Sequence, residues 1–110
     1  MNSRGVRIAS ALGLFAALVC SLPARGQNDP VSVYKSKCAG CHGADASGNT
    51  PVGKSMKIRD LHSADVQKQT DAQLTDIITG GKSPMPAYKD KLTAEQIKGL
   101  VGYIRELSKK

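Results

Sequence analysis

Two thiols and an imidazole in one short stretch carry most of the chemical potential of this 110-residue sequence: Cys38-Ala39-Gly40-Cys41-His42. On a helical turn Cys38 and Cys41 stand at i and i+3, and His42 at i+4 from Cys38, so all three side chains leave one face. Three chemistries use such a set. A redox dithiol wants a strand before it and a βαβ context after it, and no such pattern surrounds these residues. A zinc site needs four ligands, yet the only other Cys or His residues are Cys20 and His62, and an adjacent Cys and His sit awkwardly on one tetrahedral ion. The third is covalent haem attachment, for which Cys-x-x-Cys-His is the signature. The thiols add across two vinyl groups while the imidazole ligates the iron from the same side. The spacing therefore predicts a covalently bound haem, held by Cys38, Cys41 and His42.

The elements that must position this motif read as helices. Asp29-Pro30 is a helix start, with Asp29 as cap and Pro at the first helical position. The helix is expected to run from Pro30 into the motif, with Tyr34, Cys38 and Cys41 on one face, and to stop at Gly43. Residues 43–61 are rich in Gly, Asp, Ser, Asn and Pro and read as one long loop. A loop of that length is expected to wrap something, here a haem edge, with Val52, Met56, Ile58 and Leu61 as its apolar contacts. Ser63 can cap a short helix to about Gln69. Thr70-Asp71-Ala72-Gln73 and Thr93-Ala94-Glu95-Gln96 are capping boxes. The first opens a helix with Leu74, Ile77 and Ile78 on one side, ended by Gly80-Gly81. The second opens a helix with an Ile97, Leu100, Val101, Ile104 and Leu107 stripe. Lys82 to Tyr88 reads as an extended strap. No period-2 strand survives, so the expected class is all-α.

Residues 1–26 read as a cleaved leader: Arg4 and Arg7, an apolar run from Ile8 to Leu22, then Ala24-Arg25-Gly26 at a cleavage site. The fifteen-residue run is short for a bilayer span, which takes about 20 residues. Cleavage leaves a single domain, 27–110, exported to the periplasm. With Arg4, Arg7 and Arg25 gone, 13 basic residues face 9 acidic ones. Lysines are scattered and no aromatic residues interleave with them, which excludes a nucleic-acid binder. Two cysteines remain, both in the haem motif, so no disulfide forms within the domain. The only Phe lies in the leader and Trp is absent. A domain this small and this poor in large apolar groups needs help to build a core, and a buried haem would supply it.

From about Asp29 to Lys110 the chain resembles the class I c-type cytochromes, specifically the small, exported, single-haem bacterial kind. The resemblance rests on Tyr34 four residues before Cys38, the Cys-Ala-Gly-Cys-His motif, Thr50-Pro51, the Pro84-Met85-Pro86 strap, and a terminal helix bearing Leu100 and Tyr103. It implies a cytochrome c-like fold of about four short helices around one covalent haem c, with the first and last helices crossing and Tyr34 meeting Leu100 and Tyr103. Tyr34, Pro51 and Tyr88 are then haem-contacting residues. The chain departs from the pattern at Pro30, where many relatives carry a small residue; Gly99 or Gly102 is expected to provide the close helix approach instead.

His42 fills one axial position, and the candidates for the other are Met56, Met85, His62 or nothing. A thioether is a weak donor and works best on a stiff loop; Pro84 and Pro86 fix φ on both sides of Met85. Met56 lies in the Gly-rich loop and His62 just before a helix cap, so Met85 is the expected sixth ligand. His/Met ligation is an electron-transfer pattern. The expected function is therefore single-electron carriage rather than catalysis, between partners such as a quinol-oxidising complex and a terminal oxidase or reductase, by a monomer. A haem enzyme or gas sensor with a displaceable ligand is the alternative. Lys35, Lys37, Lys54, Lys57, Lys82, Lys89 and Lys91 flank the haem-contacting segments and could form a basic docking rim. Mass spectrometry of the exported protein is expected to show loss of about the first 26 residues, leaving Gln27 at the N-terminus; a lipidated Cys20 there would instead place it on a membrane.

Overall fold

Capping decides where the helices of this chain begin. In the computed structural model, which describes residues 13–19 and 28–110, the Asp29 carboxylate accepts from the Ser32 backbone N–H at 3.2 Å and from its hydroxyl at 2.8 Å. Pro30 fills the first turn of α1, Pro30–Lys37. The helix expected to run straight through the motif is bent at Cys38, whose φ is −116°, and resumes as α2, Ala39–His42. Backbone bonding spans the bend: Cys38 N–H donates to Tyr34 O at 2.8 Å and His42 N–H to Cys38 O at 2.9 Å. Gly43 then turns away at φ +87°, a conformation that favours glycine.

The stretch expected to be one loop from 43 to 61 contains a helix, α3, Pro51–Met56. Its start repeats the logic of α1, because the Thr50 hydroxyl accepts from Gly53 N–H at 2.8 Å and Pro51 again holds the first position. α4 is Ala64–Gln67, capped by Ser63 and shorter than expected. α5, Asp71–Gly80, and α6, Ala94–Leu107, both open on complete capping boxes, at Thr70/Gln73 and Thr93/Gln96. Lys82 to Tyr88 is not an extended strap. Lys82 and Met85 exchange backbone hydrogen bonds at 3.1 and 2.7 Å, closing a tight turn with Met85 at its end and a cis Ser83–Pro84 bond inside it. The described residues thus hold six helices where about four were expected, through the bend at Cys38 and the addition of α3. None is long and apolar enough to cross a membrane. Residues 13–19 are irregular and exposed; the rest of the expected leader, Cys20 included, lies outside the described residues.

The core joins α1 to α6. Tyr34 and Leu100 are its largest fully buried side chains, and Tyr34 meets Tyr103 edge-on with ring centroids 5.2 Å apart. Of the two α6 glycines, Gly99 faces the Pro30 ring, with room for a Cβ at 3.5 Å, while Gly102 faces open space. Arg105 ties α6 to the other half. Its guanidinium donates to the backbone oxygens of Gln67 and Gln69 and to the Asp71 carboxylate.

Gly53 is the tightest position, since a Cβ there would strike the Gly48 carbonyl oxygen and sit 2.9 Å from that of Cys41. Gly53→Ala is expected to destabilise the domain by roughly 3 kcal/mol, or to prevent maturation. Gly102→Ala, on an exposed helical site, should raise stability by up to about 1 kcal/mol. Urea midpoints of the two holoproteins check both.

Candidate haem site

One cavity of about 340 Å³ collects the chemistry. Its volume falls in the range of small-molecule and cofactor sites. Cys38, Cys41 and His42 line it from α1–α2, Met56 to Arg59 from the end of α3, Leu74, Ile77 and Ile78 from α5, and Pro84 to Pro86 with Tyr88 from the turn beyond. Leu100 and Ile104 of α6 close it. The walls are thus largely aliphatic, with donors and thiols confined to identifiable segments, as an amphiphilic planar cofactor requires.

Burial acts on each titratable group of the motif. The half-buried Cys38 thiol is pushed up to about 11, first by desolvation and then by the neighbouring Cys41. Cys41 is exposed. Desolvation lowers the His42 pKa, which keeps the imidazole neutral, the form that ligates a metal. Its Nδ1 is buried without a hydrogen-bond partner.

Two tyrosines frame the motif. Tyr34 donates its hydroxyl to Gly43 O at 2.7 Å from a fully buried position, and burial drives its pKa well up. Tyr88 donates to Lys37 O at 3.0 Å, a bond spanning 51 residues that binds the Met85 segment to the end of α1. Burial raises its pKa too.

Of the residues read from the sequence, Cys38, Cys41, His42, Met85, Tyr34 and Tyr88 all line this cavity. Pro51 does not: it is exposed at the start of α3, where its missing N–H and fixed φ serve the helix. His62 is likewise elsewhere, its Nδ1 2.7 Å from the Asp60 carboxylate. Met56 does line the cavity, so two thioethers reach it. Sequence reasoning missed Arg59 and Gln69 as wall residues; both lie in segments without periodicity, where spacing carries no signal. Among the described residues no three His, Cys, Asp or Glu side chains converge as a metal cluster.

An all-α chain whose helices wall one apolar cavity, with Cys-x-x-Cys-His at its edge, defines a c-type haem protein. A sequence profile of the family described as cytochrome c oxidase, cbb3-type, subunit III matches residues 26–104. The chain is 34% identical over 77 residues to a cytochrome c6 of Bryopsis maxima, covering 66% of this chain and 81% of that one. It is 30% identical over 101 residues to a cytochrome c6-like protein of a Nostoc strain, covering 88% and 86%. It also matches 37% of the length of the cbb3-type oxidase subunit CcoP of Azospirillum brasilense, at 30% identity. The solved KustC0563 c-type cytochrome superposes with a TM-score of 0.65 at 34% identity, covering 72% of this chain and 96% of that one. The chain belongs to the c-type cytochromes, within the family of cbb3-type subunit III domains, and is a small class I electron carrier with covalently bound haem c.

Covalent attachment has a direct check. Acid-acetone extraction of the holoprotein is expected to leave the colour with the polypeptide, and Cys38→Ser or Cys41→Ser to cut holoprotein yield severely.

Proposed function

We propose that the protein carries single electrons between redox partner proteins of a periplasmic chain, with thioether links to Cys38 and Cys41 and with His42 and Met85 as the axial pair. The observation that carries this reading is the placement of Met85. It lies half-buried on the cavity wall, on a turn closed by its own backbone bonds to Lys82 and flanked by two prolines. The bound haem supplies the one-electron iron couple, and a methionine ligand raises its potential.

The chain's own residues do the rest. Cys38 and Cys41 would fix the haem in one orientation, and His42, whose burial favours the neutral imidazole, lines the cavity as the ligand beside them. Leu74, Ile77, Ile78, Leu100 and Ile104 exclude water. If His42 and Met85 both held the iron, no position would remain on it for a substrate, as a carrier rather than a catalyst requires. Lys37, Lys57, Arg59 and Lys82 stand at the cavity and no carboxylate lines it. That distribution supports docking to acidic faces on a quinol-oxidising complex and on a terminal oxidase or reductase, where charge raises encounter rate more than affinity.

Met56 favours a second reading, since it reaches the same cavity while 48% exposed. The two thioethers separate cleanly by experiment. Met85→Ala is expected to remove the weak red band of ferric iron–methionine ligation, admit CO to the ferrous protein and lower the potential. Met56→Ala should leave all three unchanged. Ready CO binding by the wild type, or loss of the band with Met56→Ala, would overturn the assignment and favour a haem enzyme or gas sensor.

A further inference from the structure

The turn that bears Met85 closes on itself before it touches the rest of the molecule. Lys82 and Met85 exchange backbone hydrogen bonds, and the backbone of Met85 to Ala87 lies directly against Gly81. A Cβ on Gly81 would stand 2.8 Å from Ala87 N and 2.9 Å from Met85 O. At the base of the turn, Gly81 N–H donates to Ile77 O at 2.8 Å, Tyr88 N–H to Ile78 O at 3.0 Å and Lys89 N–H to Thr79 O at 3.1 Å. A segment packed that closely onto its own base has no slack to move alone. For Met85 to leave the cavity, the turn must swing away together with Tyr88 and the end of α5.

Tyr88 opposes that swing. The bend at Cys38 sends Cys41 N–H to Cys38 O at 3.2 Å, so Lys37 O, the last carbonyl of α1, is left for the Tyr88 hydroxyl at 3.0 Å. Among the described residues no other hydrogen bond joins residues 81–89 to α1 or α2. The hydroxyl is aimed from a fixed base. Its ring is half-buried on the cavity wall, and the Tyr88 carbonyl accepts from Lys91 N–H at 3.0 Å and Leu92 N–H at 2.9 Å.

We propose that Tyr88 is a positioning residue whose hydroxyl, by holding Lys37 O, latches the Met85 turn over the haem and keeps the sixth ligand seated. The inference rests on Met85 as that ligand. A small molecule competing for the iron then binds only the opened form, so its apparent affinity is its intrinsic affinity reduced by the open fraction. Opening breaks the Tyr88–Lys37 bond, and the open fraction therefore rises when that bond is removed.

The test uses covalently loaded holoprotein, with imidazole as the competing ligand for ferric iron. Tyr88→Phe keeps the ring on the cavity wall and removes only the hydroxyl. It is expected to raise the apparent imidazole affinity by about threefold to tenfold, the factor that the net worth of one hydrogen bond makes in an equilibrium. Met85→Ala leaves nothing to displace, so in that background Tyr88→Phe should leave the imidazole affinity unchanged. Unchanged affinity in the Tyr88→Phe single variant overturns the proposal and reduces the hydroxyl to a stabilising contact, whatever the urea midpoint does. An equal rise with and without Met85 overturns it too, since the hydroxyl would then act on imidazole rather than on the methionine. A Met85→Ala protein that keeps the ferric iron–methionine band and the wild-type imidazole affinity would sink the sixth-ligand assignment instead, a result that Tyr88 variants cannot mimic.

Discussion

The site depends on three backbone carbonyls at the end of the haem-binding turn. A helix leaves its last carbonyls without intrahelical partners, and here each finds a donor from another part of the chain. Cys41 O accepts from the Thr50 hydroxyl at 2.7 Å, His42 O from Gly48 N–H at 2.7 Å, and Gly43 O from the Tyr34 hydroxyl at 2.7 Å. These bonds fix the turn against the loop, α3 and α1 at once. The Thr50 hydroxyl serves twice, donating to Cys41 while accepting from Gly53 and so starting α3. That arrangement brings α3 so close to the motif that Gly53 can carry no side chain. The position of His42 is thus set by its carbonyl neighbours more than by its ring, whose Nδ1 has no partner.

What the sequence made legible was local chemistry. The starts of α1, α5 and α6 were readable because cap, capping box and first-turn proline act within four residues of each other. The cysteine–histidine motif was readable for the same reason. α3 was hidden by composition: between Gly48 and Gly53 the breakers outweigh the apolar pattern, although Thr50-Pro51 repeats the cap-and-proline start of Asp29-Pro30. The expectation of an extended strap failed because Pro84 and Pro86 suggest extension residue by residue, whereas the Lys82–Met85 backbone pair bonds across Ser83 and Pro84. Which glycine of α6 faces α1 was undecidable from spacing, since Gly99 and Gly102 differ by under a turn, and only the crossing of the helices puts Pro30 over Gly99.

The core is asymmetric in a way that suits a cofactor. Its largest fully buried members, Tyr34 and Leu100, lie at the α1–α6 crossing. Towards the cavity, Cys38, Leu61, Met85 and Tyr88 are only partly covered by protein. A chain with so few large apolar residues places them where two helices can share them and leaves the remaining apolar faces to a non-protein body. The same faces lower the His42 pKa and raise that of Cys38, so the dry environment and the chemistry of the ligands have one cause.

Rigidity on the proposed distal side has a separate origin, and it links the two halves of the site. The turn bearing Met85 is joined to α5 by Tyr88 N–H to Ile78 O at 3.0 Å and Lys89 N–H to Thr79 O at 3.1 Å. It is joined to α1 by the Tyr88 hydroxyl on Lys37 O, one residue before Cys38. One side chain therefore couples the segment of the proposed sixth ligand to the segment that anchors the haem. A carrier that changes only its charge gains from such a tie, because the less the two ligand-bearing segments move apart on oxidation, the less must reorganise when the electron leaves. The Lys91 ammonium, 5.5 Å over the Tyr88 ring, adds a cation–π contact on the same residue. Tyr88 thereby does for the far side of the cavity what Tyr34 does for the near side: each spends its hydroxyl on a carbonyl flanking the motif and leaves its ring to the wall.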